Sequence, residues 1–347
     1  MTAVYIHIPF CEHICYYCDF NKVFLEGQPV DQYIDTLLLE MKMRLEERPV
    51  ENVETIFVGG GTPTTLTPKQ LDKLCGGIRE LLPYDEATGE FSFEANPGDL
   101  SLDKLEVMRQ HGVNRLSMGV QSFNQDLLKK IGRIHTVADV YQSVKNAHQV
   151  GFENISIDLI FSLPGQTEED FKDTLSKALA LDLPHYSAYS LIVEPKTIFY
   201  NLMQKGKLIL PGQDAEANMY GYLMDTMAAH GRQQYEISNF CKPGYESRHN
   251  ITYWANEEYY GFGAGAHGFL GDTRYSNAGP LKKYMTPLEA GELPTFQTKD
   301  LGLNEHIEEE MFLGLRRTKG VSISHFKEKF GKDMFDVYHE PINRFCG

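Results

Sequence analysis

Cys11-Glu12-His13-Ile14-Cys15-Tyr16-Tyr17-Cys18 decides how the rest of the chain is read. Its C-x3-C-x2-C spacing gathers three thiols in one short loop and offers no fourth. A structural zinc site takes four protein ligands, and a cubane iron–sulfur cluster ordinarily takes four cysteines. Three cysteines therefore point to a cluster with one iron left open to a non-protein ligand. The competing assignment is zinc with a remote fourth ligand such as His249. The chain holds six cysteines, and the other three, Cys75, Cys241 and Cys346, read as structural or exposed thiols.

Outward from the loop, strand and helix signals alternate. Val4-Tyr5-Ile6-His7-Ile8 reads as a strand, and Pro9 opens the cysteine loop behind it. Ile34, Leu37, Leu38, Met41 and Leu45 share one face of a helix. Thr55-Ile56-Phe57-Val58 is a buried strand that ends in Gly59-Gly60-Gly61. Thr67-Pro68 then supplies an N-cap and a first helical position. Further strands are expected at 91–95, 114–120, 154–160 and 185–191. Helices between them are capped by Ser101 and Thr167 or lie near 124–131 and 137–149. Parallel strands need helical crossovers, so six such units predict an α/β fold with a parallel sheet. Six is short of the eight of a closed barrel. The pattern alone allows an incomplete barrel or a doubly wound sheet.

Chemistry in such sheets collects at the carboxyl ends of the strands. The cysteine loop follows the first strand and the triple glycine the second. Glu94 ends the third, Gln121 follows the fourth, and Asp158 lies in the fifth. The glycines let a backbone approach a ligand or make a tight turn, and no Gly-Lys-Ser/Thr follows them to make a phosphate loop. Ionised Glu94 and Asp158 inside apolar strands are costly without partners. Either they form ion pairs with Arg115 or Arg133, or they face the hydroxyls and amino group of a bound nucleoside. Gln121 carries donor and acceptor on one amide and suits the same ligand. Arg133 suits a carboxylate, or simply ends a helix.

A net charge of −15, from 48 acidic and 33 basic residues, argues against wide contact with a nucleic-acid backbone. No run reaches the roughly 18 apolar residues of a membrane span, and the first ten residues lack the basic start of a signal peptide. The expectation is a cytoplasmic protein, where thiols stay reduced, with no nucleic-acid partner and no transmembrane segment.

Four segments carry a resemblance. Tyr5-Ile6-His7-Ile8-Pro9-Phe10-Cys11, the glycine segment 59–64, Arg115-Leu116-Ser117-Met118-Gly119-Val120-Gln121-Ser122-Phe123 and Ile157-Asp158-Leu159-Ile160-Phe161-Ser162-Leu163-Pro164-Gly165-Gln166-Thr167 are similar to the oxygen-independent coproporphyrinogen oxidase-like branch of the radical S-adenosylmethionine (SAM) superfamily. The resemblance runs over nearly the whole chain. It implies a partial (β/α)6 TIM-like barrel over residues 1–230 and a smaller mixed or helical C-terminal region over 231–347, with helices near 305–315 and 324–330. Members of the family extend further, so part of that region is expected to be missing. The resemblance also implies a [4Fe–4S] cluster on Cys11, Cys15 and Cys18. It implies SAM held by Tyr5, Tyr17, Gly60, Gly61, Thr62, Glu94, Gln121, Arg133 and Asp158, with Ile192 a further candidate. It assigns no catalytic residue.

Two features choose within the branch. The oxidases read C-x3-C-x2-C-x-C, and here Phe20 holds the last position. Arg248-His249-Asn250-Ile251-Thr252-Tyr253-Trp254 contains H-N-x-x-Y-W, which resembles the HemW haem chaperones, whose motif histidine binds haem. Imidazole is a common haem ligand, and Tyr253 and Trp254, the single tryptophan, suit a porphyrin face. On residue type alone, a histidine before an aromatic pair is a hydrogen-bonded structural group. The resemblance makes His249 the expected haem ligand, with His267 in the glycine-rich 261–268 a weaker second. It implies haem, haem-acceptor proteins (membrane-associated respiratory proteins among them) and an electron donor as partners. The alternative activity is oxidative decarboxylation of coproporphyrinogen III to protoporphyrinogen IX.

Overall fold

Each early strand alternates between two surroundings, because successive side chains point to opposite faces. Val4, Ile6 and Ile8 of β1 (Ala3–Ile8), Ile56 and Val58 of β2 (Thr55–Gly60), and Phe91 and Phe93 of β3 (Glu90–Ala95) are fully buried. They share one core with Ile34, Leu37 and Met41 of α1 (Val30–Glu47) and Leu71, Leu74 and Ile78 of α2 (Pro68–Leu81). At about 1.5–3 kcal/mol for each large apolar side chain taken out of water, this layer dominates the stability of the first half.

The computed structural model describes residues 2–346, without the side chains of the last two, so the Cys346 thiol lies outside the described residues. The alternation continues through α3 (Leu102–Gln110), β4 (Arg115–Gln121), α4 (Gln125–Lys130), α5 (Val137–Gln149), β5 (Asn154–Phe161), α6 (Glu168–Leu179) and β6 (His185–Ser190). β1 to β6 are parallel and lie in sequence order. The six expected β–α units thus form a partial (β/α)6 barrel, each strand within two residues of its expected bounds.

Local chemistry explains the helix starts. Thr67, Thr136 and Thr167 each close a capping box with the residue three further on, worth about 1 kcal/mol apiece. Ser101 departs from its expected role. It holds the cap position of α3, but its hydroxyl donates to the Asp103 carboxylate and accepts no backbone N–H of the helix.

The sheet does not stop at β6. After α7 (Ile198–Gln204) and α8 (Gln213–Ala229), a hairpin of β7 (Gln233–Glu236) and β8 (Asn239–Cys241) adds to β6 in antiparallel register. After α9 (Arg248–Trp254), β9 (Tyr259–Phe262) runs parallel to β1 on the opposite edge. Beyond it come β10 (His267–Leu270), β11 (Thr273–Asn277) and, after α10 (Leu281–Glu289), β12 (Thr295–Asp300), all antiparallel. The order is β12-β11-β10-β9-β1-β2-β3-β4-β5-β6-β8-β7.

The fully buried Glu40 of α1 ties the two halves together. It accepts from Gly263 N (2.8 Å), Asn277 Nδ2 (2.6 Å) and Tyr284 Oη (2.6 Å). The glycine-rich 261–268 is the tight β9–β10 turn: a Cβ on Gly261 would lie 1.8 Å from the His267 carbonyl oxygen. Four helices close the chain, α11 (Leu303–Gly314), α12 (Ile323–Phe330), α13 (Met334–Val337) and α14 (His339–Cys346), and the first three build a small separate core of Ile307, Phe326 and Met334. Among the described residues no helix is long and apolar enough to cross a membrane.

Candidate functional site

The cysteine loop is fixed from three sides. Val23 N donates to Pro9 O (2.8 Å) and Leu25 N to Cys11 O (2.9 Å), which closes the loop on itself. Tyr16 N donates to Ile131 O (3.0 Å) beside α4, and Phe199 N of α7 donates to Tyr16 O (3.0 Å). All three thiols line one cavity at the carboxyl ends of β1 to β5. The same wall carries Tyr17, Gly60, Gly61, Thr62, Glu94, Gln121, Arg133 and Asp158. The structure therefore brings eleven of the thirteen expected site residues together.

The inward face of the barrel supplies the polar part of that wall. Glu94 pairs in register with Ser117, and Asp158 with Gly119 and Ser187. Gly60 N donates to Glu94 Oε2 at 3.0 Å. Burial pushes the Glu94 carboxyl up to about 7, with the nearby Asp158 adding to the rise. Burial likewise lifts Asp158 to about 6, against hydrogen bonds from Ser187 and Ser117. The ion pairs considered from sequence are not formed. Arg115 instead donates to Asn154 Oδ1 (2.8 Å) and Tyr245 O (3.1 Å). Arg133 donates to Cys15 Sγ (3.4 Å), Asn96 Oδ1 (2.9 Å) and Gly119 O. Two half-buried carboxylates without an ion-pair partner among the described residues suit a ligand that brings hydroxyls and an ammonium group.

Backbone irregularity concentrates at the same place. The β4–β5 register shifts between Gly119 and Gln121, and Gln121 has a φ of 67°. A non-glycine residue in that region is strained, and the shift re-aims its amide at the cavity. Gly60 has a φ of 119°, and a Cβ there would lie 2.6 Å from the His7 ring. A Cβ on Gly61 would lie 2.7 Å from the Phe10 carbonyl oxygen. The glycines thus let β2 pack against the root of the cysteine loop as well as open the cavity.

The donor set fits a cluster. Burial above all, with Cys18 and Cys15 adding and a hydrogen bond from Thr62 opposing, raises the Cys11 thiol to about 11. Burial raises the Cys18 thiol as well, and a cationic centre would bring the cysteines of this loop to the thiolate form. Among the described residues, no three His, Cys, Asp or Glu side chains converge on a single ion. Phe20 stands on the cavity wall, more than half exposed.

Tyr5 sits one inward position earlier on β1 than His7. Its hydroxyl lies 2.9 Å from His7 Nδ1 and its ring stacks on Phe57 at 6.3 Å. His249 lies at the opposite end of the barrel. The backbone N–H groups of Arg248 and His249 donate to the Glu90 carboxylate at 3.1 Å each, and Thr55 Oγ1 is 2.9 Å from His249 Nδ1. Thr55 and Glu90 begin β2 and β3, so most of a six-residue strand, about 17 Å, separates His249 from the cysteine end. His249 cannot complete a metal site with the cysteines. It is 1% exposed, and burial holds its pKa down to about 3. Its Nε2 is 2.8 Å from Tyr253 Oη, and its ring stacks on Phe57 at 5.1 Å. His267, the weaker candidate, is exposed at the start of β10.

A groove of about 370 Å³ opens beside α9, lined by Tyr253, Trp254, Tyr259, Phe269, Arg274 and Phe312 among others. Ile192, the uncertain SAM candidate, lines a different cavity of about 610 Å³ with Tyr189, Tyr220 and Arg316. Sequence reasoning missed Asn96, Ser117 and the hydroxyl of Thr55. For Asn96 a signal existed: it lies two residues beyond Glu94 and so shares its inward face.

The profile of the radical SAM superfamily matches residues 5–178, and that of the HemN C-terminal domain matches residues 301–346. The chain is 55% identical to a protein of Bacillus subtilis named haem chaperone HemW, over 97% of this chain and 89% of that one. It is 50% identical to the haem chaperone HemW of Lactococcus lactis, over 98% and 88%. The solved structure of coproporphyrinogen III oxidase (HemN) from Escherichia coli, a radical SAM enzyme, superposes with a TM-score of 0.86 at 26% identity, over 99% of this chain and 81% of that one.

Proposed function

The chain belongs to the HemW family of the radical SAM superfamily, and we propose that it is a haem chaperone, binding haem and transferring it to haem-dependent proteins. The H-N-x-x-Y-W motif on α9, in a chain 55% identical to a named haem chaperone, carries this reading. Cys11, Cys15 and Cys18 would hold the [4Fe–4S] cluster, and Glu94, Gln121, Arg133 and Asp158 would hold SAM beside it. When bound, that pair supplies one-electron cleavage of a sulfonium, chemistry that belongs to the cofactor. The protein supplies the rest. Arg133 hydrogen-bonds Cys15 and Thr62 hydrogen-bonds Cys11, the two half-buried carboxylates take a cationic ligand, and Tyr17 and Phe20 wall the cavity.

His249 is the proposed haem ligand. Residues 1–230 would carry the cofactors and 231–347 most of the haem surface, with loading and release in the cytoplasm. The partners are haem-acceptor proteins, membrane-associated respiratory proteins among them, and an electron donor. Phe20, where the oxidases carry a fourth cysteine, weighs against decarboxylation. Anaerobic incubation of the reconstituted protein with coproporphyrinogen III, SAM and dithionite tests this. Unchanged coproporphyrinogen is the expected result, and conversion to protoporphyrinogen IX would replace the chaperone reading with the enzymatic one.

A further inference from the structure

We infer that Tyr253 is a latch on the haem site: it occupies the one nitrogen of His249 that iron can reach, and haem gains that nitrogen only when Tyr253 swings away from it. This rests on the reading of His249 as the haem ligand.

Iron needs a free imidazole lone pair, and both ring nitrogens of His249 are engaged. Nδ1 faces Thr55 Oγ1 at 2.9 Å and Nε2 faces Tyr253 Oη at 2.8 Å. Two tautomers satisfy both contacts: Nδ1–H donates to Thr55 while the Tyr253 hydroxyl donates to Nε2, or the Thr55 hydroxyl donates to Nδ1 while Nε2–H donates to Tyr253. In either one the Tyr253 hydroxyl stands where iron would meet Nε2.

The two partners differ in their freedom to leave. Thr55 is fully buried and begins a strand paired on both sides, with β1 and with β3. Its hydroxyl cannot withdraw without opening the sheet. Tyr253 is the penultimate residue of α9, a helix of seven residues, and its ring lines the open groove. Its ring meets the Tyr259 ring of β9 edge-on at 4.6 Å, so a side-chain rotation gives up that ring contact but no strand hydrogen bond.

The groove has the character of a porphyrin seat. Trp254, Tyr259, Phe269 and Phe312 supply flat apolar faces. Phe312 is 72% exposed, a large apolar ring left uncovered at the groove. One donor in its wall lacks a partner: Trp254 Nε1 is buried without a hydrogen bond, and the Arg316 guanidinium, itself paired with Glu236, stacks 4.3 Å over the Trp254 ring. A planar apolar ligand, which haem is, meets these faces.

Stopped-flow mixing of ferric haem with cluster-reconstituted protein tests the latch, with Tyr253→Phe, Phe312→Asp and His249→Ala beside the natural chain. Tyr253→Phe keeps the ring and removes the hydroxyl. It is expected to speed formation of the imidazole-ligated Soret species about fivefold, the fold-change that one net hydrogen bond represents, with the final spectrum unchanged. An equal or slower rate overturns the latch, as does a final spectrum that has lost its protein ligand. Phe312→Asp, at an exposed position that leaves the fold intact, is expected to weaken haem binding about tenfold or more. Unchanged affinity removes the groove as the seat. His249→Ala separates the two levels. If it keeps the ligated spectrum, the His249 reading itself fails. If it loses that spectrum while Tyr253→Phe changes nothing, only the latch fails.

Discussion

The amide oxygen of Asn96 accepts a hydrogen bond from Nη2 of Arg133 at 2.9 Å. The same amide donates to Thr62 Oγ1 at 3.1 Å. Thr62 in turn donates to Cys11 Sγ (3.7 Å) and Arg133 to Cys15 Sγ (3.4 Å). One side chain thus holds the two groups that touch two of the three cysteines. Outer partners of this kind orient ligands and tune the centre they surround.

Asn96→Ala is therefore expected to weaken SAM binding to the reconstituted protein by about 10–100-fold, the range for a lost hydrogen bond to a charged group. It should also shift the electron paramagnetic resonance spectrum of the reduced cluster. Equilibrium dialysis with SAM and the reduced-state spectrum check the two parts.

Replacing Cys11, Cys15 or Cys18 by Ala is expected to abolish the cluster each time, leaving little iron or sulfide and no absorption near 400 nm. Cys75→Ser should leave it intact, since Cys75 is buried in the hydrophobic core away from the loop. Metal and sulfide analysis after anaerobic reconstitution decides this, and stoichiometric zinc in the natural chain would contradict it.

Gly61→Ala puts a Cβ against the Phe10 carbonyl, in backbone that cannot yield as a flexible side chain would. The expected cost is about 1–3 kcal/mol, read as a lower melting temperature together with poor cluster retention. Gly221→Ala is the control, because Gly221, like Gly61, has no positive φ but has open space around it, and the added methyl is expected not to lower the melting temperature there.

The affinity for SAM should depend on pH through Glu94. Its folded pKa of about 7 is raised above the ordinary 4.5, so the carboxyl is substantially protonated at neutrality without ligand. A cationic amino group favours the ionised form. Binding should therefore strengthen as pH rises through 7 and weaken below it. Glu94→Gln should bind weakly and lose this dependence. Titrations at pH 6, 7 and 8 on both proteins give the answer.

The first half of the molecule was legible because its patterns are long. Strands such as Ile155, Ile157 and Leu159 alternate with inward polar positions, and capping boxes at Thr67 and Thr167 mark the crossovers. Of the second half, the helices near 305–315 and 324–330 were legible and the strands were not. β8 has three residues, β7 and β9 four each, and β12 is exposed at every position, so no apolar period remains to read. The H-N-x-x-Y-W motif was legible as chemistry but not as geometry. Nothing in its spacing says that Thr55 and Tyr253 take both nitrogens of His249, because Thr55 lies 194 residues away. Ser101 misled for a local reason: Asp103 captures its hydroxyl before the helix can.

The most direct test of the central claim is an anaerobic haem titration of the cluster-reconstituted protein beside His249→Ala, read by the Soret band. His249 accepts nothing but neutral partners in its pocket, so the variant removes a ligand without stranding a charge. The account predicts saturable one-to-one binding with an imidazole-ligated spectrum in the natural chain and loss of that spectrum in the variant. Equal binding and equal spectra in both, or no binding in either, would contradict it.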